Sequence, residues 1–130
     1  MACTNNRLVV KIQSGETRSF GFTIKNKDGL GGYTPMDLTQ YEVIFQIKEY
    51  PYASVKPIIE KVLDLEEDTE QGYIYEPTEG KFQVVITLDD MDILIPGKEY
   101  YLVITLVNGD TRIIISGEGD NVGMFMVCNS

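Results

Sequence analysis

Histidine and tryptophan are both missing from these 130 residues, and cations are scarce, with 11 Lys and Arg against 20 Asp and Glu for a formal net charge of −9. Without His the chain lacks the commonest general base and the commonest transition-metal ligand. The negative balance repels phosphate backbones and anionic lipid, so neither nucleic acid nor a membrane surface is an expected partner. No apolar run approaches the ~20 residues of a membrane-spanning helix. Met1 to Asn6 is polar, and Leu8-Val9-Val10 is too short for a secretory apolar region. The expectation is a protein that stays in the cytoplasm where it is made, or joins something assembled there. Cysteine occurs twice, at Cys3 and Cys128 near the two ends. A disulfide joining the termini is one reading, and two free thiols in a reducing compartment is the favoured one.

What is present favours strands. Hydrophobic residues make up 43% of a chain whose length suits one domain with a core of its own, so residues 1–130 are expected to fold as a single unit. Arg18 to Lys25 places Phe20, Phe22 and Ile24 opposite Ser19, Gly21 and Thr23. Tyr41, Val43, Phe45 and Ile47 alternate with Glu42, Gln46 and Lys48, and Ile44 alone breaks the pattern. Lys81 to Leu88 sets Phe82, Val84, Ile86 and Leu88 on one face. A period of two means one buried and one wet face. Phe20, Phe22, Phe45, Phe82, Val84 and Ile86 are the expected core. Arg7–Gln13, Tyr73–Tyr75, Glu99–Val107, Thr111–Ile115 and Val122–Val127 read as further strands, and Val55–Leu63 as an edge strand because Pro57 cannot donate to a central ladder. Asn108-Gly109-Asp110 carries the best hairpin signal. Asn26 to Gly29 is turn chemistry extended by Gly31-Gly32 into a loop without the following Lys-Ser/Thr of a phosphate site. About eight strands, one short helical turn and no crossover helix predict an all-β, antiparallel β-sandwich.

Candidate chemistry is thin. Asp64, Glu66, Glu67, Asp68 and Glu70 could offer carboxylates to Ca²⁺, but they lack the spacing, bend glycine and terminal Glu of a helix-loop-helix site, so a solvated loop is favoured. Asp89, Asp90 and Asp92 cannot flank a sugar from two sides as glycosidase acids do. They are expected to sit on one helical turn, with Asp89 or Asp90 as its cap. No Ser or Cys has a recognisable base, so no catalytic residue, metal or cofactor is expected. Tyr33, Tyr50, Tyr52, Tyr73 and Tyr75 lie in or near loops and suit a contact surface, since Tyr joins apolar area to a polar tip.

Two stretches together resemble a known family. One is Asp37-Leu38-Thr39 followed by Tyr41 to Lys48. The other is Gly80-Lys81-Phe82, the strand to Leu88, then Asp92, Leu94, Pro96-Gly97 and Tyr100-Tyr101. This order is similar to the immunoglobulin-like β-sandwich domains of tailed-phage structural proteins, including N-terminal domains of baseplate upper proteins, over roughly Thr17 to Gly117. The resemblance implies a non-enzymatic virion subunit of the tail, baseplate or head-to-tail region, with other virion proteins and copies of itself as partners. A head-decorating or fibre-attachment protein, and a small bacterial ligand-binding module, are the alternatives.

Apolar residues also stand where alternation calls for polar ones. Val9, Ile44, Val85, Tyr101, Val103, Phe125 and Val127 are therefore the candidate interface. In the strand from Glu99, either Tyr101 and Val103 or Tyr100 and Leu102 must face outward, and the long loops Asp28 to Met36 and Glu49 to Glu79 are the alternative cover for these residues. A contiguous apolar patch beyond a few hundred Å² is unusual on a monomer. The N- and C-terminal segments are the first choice for the contacts, because free ends can add a strand to a neighbour's sheet.

Overall fold

Alternation of apolar and polar residues translates directly into two facing sheets. The computed structural model describes residues 9–13, 18–27, 32–50, 52, 54–116 and 123–128. In chain order the strands are β1 (Val9–Gln13), β2 (Arg18–Thr23), β3 (Lys25–Lys27), β4 (Tyr33–Pro35), β5 (Glu42–Lys48), β6 (Ile59–Leu63), β7 (Gly72–Glu76), β8 (Lys81–Ile86), β9 (Glu99–Asn108), β10 (Thr111–Ser116) and β11 (Gly123–Cys128). A 3₁₀ turn at Pro77–Glu79 precedes β8, and a helix, α1 (Leu88–Ile93), follows it. The larger sheet runs β1-β11-β9-β5-β6, with β10 also on β9; the smaller runs β2-β8-β7. The fold is an all-β sandwich.

The core lies between the sheets. From the larger sheet it takes Val43, Phe45 and Ile47 of β5, Leu102, Ile104 and Leu106 of β9, and Ile59 and Leu63 of β6. From the smaller it takes Ile74, Phe82, Val84 and Ile86. Register explains the layering, since Phe45 lies opposite Ile104 on one side and Lys61 on the other. Phe22 stacks on Phe82 at 5.3 Å between centroids and tilts against Phe45 at 5.9 Å. Aromatic rings thus join the two sheets. Of the six residues expected in the core, Phe45, Phe82, Val84 and Ile86 are fully buried. Phe20 and Phe22 are only half-buried, on an outer strand of a three-stranded sheet.

Several elements depart from expectation. Residues 25–27 and 33–35 pair as a two-stranded ribbon where a loop was expected, with Asn26 opposite Thr34. The strand from Lys81 stops at Ile86, and Leu88 is exposed on α1 rather than continuing the core face. Thr87 rather than Asp89 or Asp90 caps that helix. Its side chain accepts from the Asp90 N–H, while the Asp90 carboxylate accepts from the Thr87 N–H at 2.8 Å. The exchange is a reciprocal capping box. The described residues hold eleven strands rather than about eight, the excess coming from short pieces such as β3 and β4. β1 and β11 pair in parallel, Val10 opposite Phe125. Parallel neighbours need a long connection, and here nearly the whole chain intervenes between them.

The Pro96-Gly97 corner is held as its residues suggest. Tyr100, 1% exposed, accepts a hydrogen bond at its hydroxyl from the Ile95 N–H at 2.8 Å. Gly97 has φ +83°. A side chain would strain that left-handed turn. At the other end of the sandwich the Asp37 carboxylate accepts from the Thr39 N–H at 2.9 Å and from its hydroxyl, turning the chain into β5. Those bonds, from the hydroxyl first and the N–H second, hold the Asp37 carboxyl below its ordinary value.

Candidate contact surface

The acidic residues are spent on local structure. The Asp64 carboxylate accepts from the Glu66 N–H at 2.8 Å, and that of Asp68 from the Glu70 and Gln71 N–H groups at 2.8 and 3.2 Å. These are turns closed by a side chain. Among the described residues no three of His, Cys, Asp or Glu converge as metal ligands would. Asp90 is engaged by the α1 cap and by Lys61, while Asp89 and Asp92 are exposed, so no pair of carboxylates faces a common substrate position.

Apolar side chains, by contrast, gather in solvent at one end of the sandwich. That end collects the C-terminus of β5, the start of β9 and the α1 segment. Tyr50 and Tyr52 are 57% and 65% exposed in the turn after β5, and Ile93 and Ile95 are 56% and 58% exposed at the end of α1. An ion pair between Lys98 and Glu49 at 3.7 Å joins the turn after β5 to the Pro96-Gly97 corner that follows α1. Leu88 is exposed on the same helix. Tyr73 and Tyr75, 6.1 Å apart, stand on the outward face of β7, where Gly21 leaves room beside the Tyr75 hydroxyl. The side chain of Tyr33 lies outside the described residues. At the opposite end Tyr41, Leu65 and Val107 line a shallow depression with Glu42, Asp64 and Glu66.

The residues singled out from the sequence do not form one patch. Ile44, Tyr101 and Val103 share the outward face of the larger sheet, where Ile44 pairs with Thr105 and Val103 with Gln46. Ile44 and Tyr101 are half-buried, and Val103 is 9% exposed. Val85 is on the other sheet, 8% exposed beside the chain at Gln71, whose carbonyl accepts from the Val85 N–H at 3.0 Å. The side chains of Val9, Phe125 and Val127 lie outside the described residues, as do Cys3 and the Cys128 side chain. Their backbones put Val9 opposite Met124 and Phe125 opposite Tyr100. The exposed apolar group of Tyr50, Tyr52, Ile93 and Ile95 is not legible as a group in the sequence, because its members fall in turns and at the end of a short helix, where strand alternation carries no signal.

The fold thus defines the class, an all-β sandwich. No protein-family model matches the sequence, and no curated protein matches it. Among solved structures it is similar to one described as the N-terminal domain of phage TP901-1 ORF48, at 13% identity and a TM-score of 0.48, with 98% of this chain and 90% of that one covered.

Proposed function

We propose that this chain is a non-enzymatic structural subunit of a phage virion, in the tail, baseplate or head-to-tail region, and that it works by protein–protein contact. The phage assignment is supported by the Asp37-Leu38-Thr39 and Pro96-Gly97…Tyr100 patterns, both of which make scaffold contacts in the fold. The contact role is carried by one observation, the exposed Tyr50, Tyr52, Ile93 and Ile95 at one end of the sandwich. Aromatic and aliphatic anchors of this kind dominate binding energy when a partner desolvates them. Partners are other virion proteins and copies of the chain, and the place of action is the particle. The outward residues Ile44, Tyr101 and Val103, with Val9, Val85, Phe125 and Val127, are secondary contacts in this reading.

The test is co-expression with the products of the neighbouring genes, followed by sedimentation and mass spectrometry of the particles formed. The chain is expected at fixed stoichiometry in the particle. Ile93→Glu with Ile95→Glu is expected to weaken that association by at least roughly tenfold, about 1.4 kcal/mol, with an unchanged melting temperature. Absence of the chain from every particle, or full incorporation of the double variant, refutes the proposal.

A further inference from the structure

β6 ends the larger sheet, and an end strand is a template for pairing with another chain. Its residues are well suited to that hazard, since Ile59, Val62 and Leu63 are apolar and β-branched or bulky. Two features stand in the way. The first is Lys61, which points inward opposite Phe45 and is 4% exposed. Its ammonium donates to the Asp90 carboxylate at 2.6 Å and to the Glu70 carbonyl at 2.8 Å. The second is Gln71. Its side-chain oxygen accepts the Val62 N–H at 3.2 Å, where a neighbouring strand would place a carbonyl. The adjacent outer strand of the smaller sheet, β7, carries a register irregularity between Tyr73 and Glu76, another device that spoils a straight edge.

We propose that Lys61 and Gln71 guard the β6 edge against pairing with a second copy of this chain. Antiparallel pairing of β6 with its own copy, centred on Lys61, sets two buried ammonium groups opposite each other, and directly opposed like charges destabilise a sheet. A register centred on Val62 relieves that opposition but sets Glu60 against Asp64, again like charges. Either register must also displace Gln71 and the loop before β7. An inward charge and a covering loop are both means by which sheets refuse edge contact. The guard keeps β6 closed, so assembly through this chain uses other surfaces.

The experiment compares the purified full chain with Lys61→Val, Gln71→Ala and the double variant, by sedimentation and by hydrogen exchange at the Val62 amide. The double variant is expected to sediment with one more copy of the 14.6 kDa chain than the unmodified protein at the same concentration. Its Val62 amide should exchange at least roughly tenfold more slowly once a backbone carbonyl replaces Gln71. Should Lys61→Val lose the native circular dichroism, Gln71→Ala with Lys61→Met reads the same guard. An unchanged mass, or a larger species in which the Val62 amide is no better protected, overturns the proposal. The assay uses the chain alone, so its outcome is independent of whether the chain enters a virion.

Discussion

Removing Asp90 should cost far more than removing the lysine it holds. In Asp90→Ala the Lys61 ammonium keeps only the Glu70 carbonyl, inside a site where the lysine side chain is 5% exposed. Breaking a buried pair by deleting one partner costs roughly 3–5 kcal/mol, because the remaining charge is left uncompensated. The α1 capping box goes with it, a further ~1 kcal/mol. Water reaching the pair from the Asp90 side, which is 16% exposed, reduces the sum, so about 4 kcal/mol is the working figure. For a chain of this length that corresponds to a fall in melting temperature of roughly 12–20 °C. Lys61→Met is different. Its methylenes are replaced by apolar volume on a core-facing position, and Asp90 retains both bonds from Thr87. The carboxylate left behind is partly in water and still hydrogen-bonded, so the penalty for an uncompensated buried charge is small and a change within about 1 kcal/mol is expected. Urea unfolding followed by tyrosine fluorescence and far-ultraviolet circular dichroism measures both. The uncompensated-charge account is refuted if Asp90→Ala stays within about 1 kcal/mol of the unmodified protein, or if Lys61→Met falls as far as Asp90→Ala.

Phe82→Ala should lose roughly 3–5 kcal/mol in the same assay, since the ring is wholly buried and stacked on Phe22. A loss below about 1 kcal/mol would mean that the sheets do not meet as described. Ca²⁺ should leave the melting temperature unchanged up to millimolar concentration, because Asp64 and Asp68 are closing turns. A saturable rise at micromolar Ca²⁺, abolished by Glu66→Gln with Asp68→Asn, contradicts that account.

Period-two alternation made β2, β5 and β8 legible, because each turns its apolar residues toward one face. What it could not supply is how far each strand sits from a sheet edge. Phe20 and Phe22 share the apolar register of Ile24, yet only Ile24 is fully buried. The ends of elements were less legible than their middles. Leu88 continues the apolar face of β8 in sequence, but Thr87-Leu88-Asp89-Asp90 carries a cap and its reciprocal acid three residues apart, and the helix wins. That signal was present in the chain. The parallel pairing of β1 with β11 was not, since nothing local marks a contact between segments so distant in sequence. The exposed end formed by Tyr50, Tyr52, Ile93 and Ile95 depends on two turns meeting, which only the tertiary fold decides.

Lys61 marks the point where the pattern and its exception carry the same information. Ile59-Glu60-Lys61-Val62-Leu63 alternates cleanly if Lys61 is taken as an inward residue, and fails at the centre if charge is taken to mean solvent. The fold adopts the first reading, with Ile59, Lys61 and Leu63 buried and Glu60 and Val62 exposed. A charge is tolerable there only because Asp90 and the Glu70 carbonyl converge on it from α1 and from the loop before β7. Those partners lie 29 and 9 residues away, so the sequence position looks like an error until the sheets close. A lysine in the core register of a strand beside Pro57 is thus a specific clue to an edge. An apolar residue at that position would bury more comfortably, and it would leave Gln71 alone on the β6 edge.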